Sequence, residues 1–134
     1  MLFIFDTDVI SNVLKRNPSP SLLRRVAGLA SDEQFTTSIT IGELVFGAFR
    51  SQRPQYFLDK LKKLVIPNIQ ILSFDEASAY IYGKLRAELE TQGQTIAEPD
   101  LRIASIALNH DLILVTGNTK HFSRVPDLKI EDWI

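Results

Sequence analysis

Asp6, Glu43 and Asp100 lie far apart in the chain, yet each stands where a regular element begins or ends. Asp6 closes the run Leu2-Phe3-Ile4-Phe5, which is wholly apolar, too short for a membrane span and suited to a strand covered on both faces. Glu43 follows Thr40 at the spacing of a capping box, which places it near a helix start. Asp100 follows Pro99, a residue suited to the first helical position, so its carboxylate falls in the first turn, where the helix dipole favours it. Singly, each acid has a structural explanation as a cap, a dipole partner or a solvated carboxylate. Together they fit one place, because parallel strands end, and the helices after them begin, on the rim where open α/β sheets bind ligands. Crowded carboxylates raise one another's pKa, which makes a divalent cation their natural partner. Mg²⁺ takes oxygen ligands and keeps several waters. The chemistry open to such a set is phosphodiester hydrolysis by an activated water.

Other chemistries find little support. The chain has no cysteine, which removes disulfides, thiolate catalysis and thiolate metal sites. It has no Gly-rich phosphate loop and no histidine pair at zinc spacing. Of its two histidines, His110 follows a helix and His121 lies nearer the inferred rim. With 15 Lys plus Arg against 16 Asp plus Glu, the formal charge of −1 excludes a broad basic platform for nucleic acid. Local basic residues and bound cations remain sufficient to hold one. No apolar run approaches the ~20 residues that cross a bilayer. Met1 leads into the first strand without a basic leader, so a cytoplasmic protein is expected.

The elements that must position the acids follow from pattern. The 134 residues suit one domain, 1–134, with a substantial core. Asp8 is expected to cap a helix through Val9, Ile10, Val13 and Leu14, and Ser21–Ala30 reads as a second amphipathic helix. Gln34–Ser38 reads as a strand, followed by the helix carrying Ile41, Leu44, Val45, Ala48 and Phe49. A helix over Tyr56–Leu64, a strand over Ile69–Leu72 and a helix over Glu76–Glu90 come next, the last capped by Asp75 or Ser73. A break centred on Gly93 precedes the strongly apolar helix from Pro99 to Asn109. Leu112–Val115 is a buried strand, followed by a short helical segment near His121–Ser123 and a last strand over Leu128–Ile130. This alternation predicts an α/β fold, a single-domain α/β/α sandwich with a mainly parallel sheet.

The ordered set of motifs resembles the PIN-domain family, and within it the VapC-like toxins of bacterial VapBC toxin–antitoxin pairs. The resemblance spans nearly the whole chain. It is carried by Phe5-Asp6-Thr7-Asp8, Glu43-Leu44 with Gly47, Asp100 with Ile103-Ala104, and Leu114-Val115-Thr116-Gly117-Asn118 through Phe122. The ending Leu128-Lys129-Ile130-Glu131-Asp132-Trp133 adds to it. The resemblance implies that Asp6, Glu43 and Asp100 are the principal metal-site acids, supported by Asp8, Thr116 and Asn118. Asn118 stands where the family commonly places an acid, and it supplies a neutral carbonyl but no charge. One firm Mg²⁺ site is therefore expected, with Mn²⁺ as a possible substitute and a second ion recruited by substrate phosphate.

The implied activity is endoribonucleolytic cleavage of structured cellular RNA, restrained by a VapB-like antitoxin, in a homodimer. Arg102, Lys120 and Arg124 flank the site segments and are candidates for phosphate contacts. A different nuclease on the same fold, acting in RNA processing or on structured DNA, is the alternative. A non-catalytic interaction module is a more distant one.

Overall fold

In the computed structural model, which describes residues 1–134, Phe3–Phe5 (β1) is the central strand of a five-stranded sheet. Gln34–Thr37 (β2) and Ile113–Val115 (β4) flank it, and Gln70–Leu72 (β3) and Ile130–Glu131 (β5) form the edges. The order is β3-β2-β1-β4-β5, and every pairing is parallel. Ile4 is in register with Phe35 on one side and Leu114 on the other. The chain steps outward from β1 to β2 and β3, then crosses to β4 on the opposite flank. The strand order therefore reverses between β1 and β4, and the crevice of an open α/β sheet lies at their C-terminal ends.

The pleat sorts the apolar residues of β1 and β4 into two layers. Ile4 and Leu114 point to one face and pack with Leu85, Leu89, Leu101, Ile106 and Phe122. Phe3, Phe5, Ile113 and Val115 point to the other, against Val9, Ile10, Leu14, Leu22 and Trp133. The first layer rests on Glu76–Thr91 (α5) and Glu98–Asn109 (α6). The second rests on Thr7–Leu14 (α1) and Pro20–Ala27 (α2). The result is the α/β/α sandwich that the alternation predicts.

Where the boundaries differ from expectation, the reason is local. Helix α1 is capped by Asp6, not Asp8, because it starts directly at the end of β1 with no intervening loop. Ser38–Arg50 (α3) follows β2 in the same way, so Thr37 caps it by accepting from the amide of Thr40. The expected Thr40–Glu43 capping box is thereby replaced, and Glu43 is left for other partners. Ser19 caps α2, which begins one residue early and stops at Gly28. Helix α6 starts at Glu98, which puts Pro99 second and keeps Asp100 in the first turn.

The helix expected over Tyr56–Leu64 is Pro54–Lys60 (α4), which widens into a π-helical turn over Leu61–Val65 before Pro67. Asp75 is the cap chosen for α5, and the break after it uses Gly93 at φ 68°. The last strand forms later than Leu128, beyond Asp127, whose φ is 65°.

Candidate functional site at the β1–β4 crevice

Asp6 is the fixed point of the crevice. Its backbone amide prolongs the β1–β4 ladder by donating to Val115 O at 3.2 Å, which sets the residue directly beyond the sheet. Its side chain is only 3% exposed. One carboxylate oxygen accepts from the amide of Val9 at 2.9 Å, and the other from Thr116 Oγ1 at 2.5 Å. Burial pushes the Asp6 carboxyl up to about 6, while the hydrogen bonds from Thr116 and Val9 pull the other way. The negative charges of Asp8 and Asp100 add to the rise.

Asp100 enters the same crevice from the first turn of α6 and is partly buried. Burial raises its pKa, the negative charges of Glu43 and then Asp8 raise it further, and His121 opposes them. Asp6, Asp8, Glu43 and Asp100 thus act on one another through space, although they come from three separate stretches of chain. Glu43 faces α1 and accepts from Thr7 Oγ1 at 2.6 Å. Behind that contact the hydroxyls of Thr7 and Thr40 are 3.2 Å apart, and those of Thr40 and Thr37 are 3.3 Å apart. Thr37 and Thr40 are fully buried, so their hydroxyls back Glu43 from the protein interior.

Thr116 ends β4 as Asp6 ends β1, and its hydroxyl has two duties. It donates to Asp6 and accepts from the amide of Asn118 at 2.9 Å, which ties the loop after β4 to the buried carboxylate. The Asn118 side-chain amide meets His121 Nδ1 at 3.0 Å. Asn118 also begins Thr119–Phe122 (α7), anchored by the fully buried Phe122.

The expected residues therefore divide into groups. Asp6, Asp8, Glu43, Asp100 and Thr116 come together, and Asn118 joins through Thr116 and His121. The basic candidates differ from one another. Arg102 pairs with Glu98 at 3.5 Å, Arg124 donates to the carbonyl of Thr95 at 2.8 Å, and Lys120 is exposed on α7. Thr7 is the contributor that spacing did not single out. Its signal was its place between Asp6 and Asp8, and its partner, 36 positions away, is visible only after folding. His121 likewise reaches Asp100 electrostatically.

The donor set is entirely oxygen and predominantly anionic, which suits a hard divalent cation. No three His, Asp or Glu side chains are drawn into a metal-holding cluster, however. Each oxygen of Asp6 accepts one hydrogen bond.

The comparisons agree with this architecture. The PIN domain model matches residues 3–128, so the chain belongs to the PIN-domain family. Within that family it resembles the VapC-type toxins. It is 36% identical to the tRNA(fMet)-specific endonuclease VapC of Shigella flexneri, over 98% of this chain and 97% of that protein. It is 32% identical to Ribonuclease VapC2 of Rickettsia felis, over 99% and 98% of the two chains. The structure of VapBC2 from Rickettsia felis, bound to a DNA fragment from its promoter, superimposes with a TM-score of 0.92 at 31% identity and full coverage of both chains. That of VapBC-1 from nontypeable Haemophilus influenzae gives 0.88 at 33% identity, covering 99% of this chain and 98% of that one. No helix is long and apolar enough to cross a membrane.

Proposed function

We propose that this protein is a Mg²⁺-dependent endoribonuclease, the toxin of a type II toxin–antitoxin pair, with Asp6, Glu43 and Asp100 as its metal ligands. Family membership supports a nuclease activity. The observation that carries the finer reading is the approach of Asp6, Asp8, Glu43 and Asp100 to one another in one crevice, where burial first and neighbouring negative charge second raise Asp6 to about 6 and Asp100 above its ordinary value. A divalent cation bound among such carboxylates would offset both their burial and their repulsion. When bound, Mg²⁺ supplies an activated water and screens charge on the leaving oxygen.

The chain's own residues prepare that chemistry. Thr116 and the Val9 amide fix Asp6 in one rotamer. Thr7 holds Glu43 by donating to its carboxylate. Asp8 adds negative charge from the exposed side, and Asn118 is tied to the site through Thr116. Lys120 on α7, Arg102 on α6 and Arg124 just beyond α7 are proposed to meet RNA phosphates. Arg102 and Arg124 must exchange their present partners to do so.

The reading extends to regulation. A VapB-like antitoxin docking over the acidic crevice, a toxin homodimer and a cytoplasmic site of action are proposed on the likeness to the VapBC assemblies. Co-purification from native cells should recover a small partner whose addition suppresses cleavage. Active enzyme insensitive to the proteins encoded beside its gene would refute that regulation.

The decisive experiment profiles cellular RNA, beside matched DNA, after treatment with the protein and its Asp100→Asn variant. Asn keeps the shape and removes the charge. The expected result is a discrete RNA fragment set that needs Mg²⁺ and disappears in the variant. Undiminished cleavage by a homogeneous Asp100→Asn preparation would remove Asp100 as an essential ligand.

A further inference from the structure

The acidic crevice has a neighbour of opposite character. Residues 44–74 carry five basic side chains, Arg50, Arg53, Lys60, Lys62 and Lys63, against the single acid Asp59. By contrast, α5 and the start of α6 are rich in acids, and there Arg86 and Arg102 are both neutralised by Glu98. Arg50, Arg53 and Lys60 have no carboxylate partner. They lie instead over aromatic rings: Arg50 is 5.1 Å from the Phe46 ring, and Arg53 and Lys60 are 3.9 and 5.2 Å from that of Tyr56. Phe46 is 63% exposed and Tyr56 42% exposed. Lys60 also donates to the carbonyl of Leu14 at 2.8 Å. Cations without carboxylate partners beside partly exposed aromatic rings suit a single-stranded nucleic acid, whose phosphates draw the cations off the rings and whose bases stack in their place.

This ledge is continuous with the site. Glu43, Phe46, Gly47 and Arg50 fall at the helical spacings that share one face of α3, so Arg50 lies about 10 Å along the axis from Glu43. Glu43 and Gly47 also line a groove of about 310 Å³ between α1, α3 and α4, with Thr7 and Phe57 among its walls. Gly47 sits in mid-helix, where glycine costs stability, yet a Cβ there would meet nothing within 4 Å. No packing contact demands the glycine. Its effect is to leave the floor of the groove open beside Glu43.

We propose that the RNA strand leaves the acidic centre along the Glu43–Gly47–Arg50 face of α3 and is held on the Phe46, Arg53, Tyr56 and Lys60 ledge. The proposal rests on the ribonuclease reading and names the path of its substrate. It commits the ledge to RNA on charge: the local excess is positive and the occupant polyanionic.

The test measures binding of a labelled single-stranded RNA oligonucleotide in the Asp100→Asn background, where cleavage does not interfere. Fluorescence anisotropy is recorded across a salt series for this protein and for versions also carrying Arg50→Gln with Arg53→Gln, or Phe46→Ala. Losing two phosphate contacts should weaken binding about tenfold and reduce the slope of log K against log salt by about 1.4. Phe46→Ala should weaken binding about tenfold with little change of slope, as a lost stack would. All the side chains altered are exposed, and circular dichroism checks that the fold persists.

Unchanged affinity and slope in the charge variant, with firm binding by the parent, would overturn the path and leave the ribonuclease reading standing. Failure of the parent to bind any RNA would overturn both. A change in solution mass, by light scattering, with RNA affinity intact would assign the ledge to a second copy of the chain and overturn the proposal. Protection of the ledge by a peptide partner alone, with no effect of the variants on RNA, would do the same.

Discussion

The two sides of the acidic crevice are built to different standards. On the sheet side Asp6 is buried, locked by two donors and continuous with the β1–β4 ladder. On the helix side Asp100 is partly exposed, and its shift arises from burial and neighbouring charge, with no hydrogen bond contributing. One carboxylate is therefore positioned in advance, and the other is held in place mainly by the helix that carries it. The difference teaches that this site is half preorganised: the sheet supplies a fixed anchor, and the helix side is left to adjust.

The most forceful way to break the comparison is to neutralise each carboxylate in turn. Asp6→Asn and Asp100→Asn should each reduce Mg²⁺-dependent RNA cleavage by at least about a hundredfold, the scale of losing a group that holds transition-state charge. Their stabilities should diverge. Asn at 100 relieves repulsion and should leave the melting temperature unchanged or raised. Asn at 6 places an NH₂ group opposite one of the donors that now hold the carboxylate, and should cost roughly 1–3 kcal/mol in denaturant unfolding. Equal destabilisation by the two would contradict the asymmetry.

A narrower cut removes only the brace. Thr116→Val deletes the hydroxyl that donates to Asp6 and accepts from Asn118. The expected cost is about 1–3 kcal/mol, because the buried Asp6 and the part-buried amide of Asn118 each lose a bond. Since that bond pulls the Asp6 pKa down, its loss should also move the acid limb of the pH–rate profile to higher pH. A profile that stays in place would show that Asp6 is not the group titrating there.

Solution pH probes the same contrast without mutation. Asp6 is raised from 3.8 to about 6, so between these values the folded chain binds the extra proton. Its contribution to stability therefore falls as pH rises through that window, by roughly 2–3 kcal/mol. Asp100 contributes in the same direction. Mg²⁺ must compete with these protons, so the rise in melting temperature on adding it should be larger at neutral pH than near pH 5. An equal rise at both would place the bound ion elsewhere.

The smallest expected effect sharpens the view of the groove floor. Gly47→Ala has room for its methyl and removes a mid-helix glycine, so it should stabilise the fold by about 0.5–1 kcal/mol. Cleavage should fall several-fold if that opening accommodates substrate. Stabilisation with full activity would limit the role of the opening.

The sheet and the places of Asp6 and Asp100 were legible because each depends on a short local signal. An apolar run that ends in Asp6 fixes a strand and its rim, and Pro99 fixes the turn that carries Asp100. What was misread was the join between elements. Asp8 and Thr40 have good capping chemistry, but Asp6 and Thr37 do the work because α1 and α3 begin at the ends of their strands. The Thr7–Glu43 bond joins α1 to α3, and no spacing rule reaches that far. The π-helical turn over Leu61–Val65 was equally hidden, since its apolar residues suit an ordinary helix.

Trp133 closes the back of the sheet, edge-on to Phe3 and Phe5 at centroid distances of 4.8 and 5.6 Å, with Arg25 over its ring. Its indole N–H donates to Glu131 at 2.9 Å, and the backbone of Glu131 in turn receives the amide of Thr116 at 3.0 Å. The chain has only this one tryptophan. Its emission is therefore an optical gauge with a single address, wired through one residue of β5 to the threonine that braces Asp6. Loosening at that edge should shift the spectrum toward the red before the helices melt. A titration of divalent cation followed in this way would show whether events in the crevice are felt at Trp133.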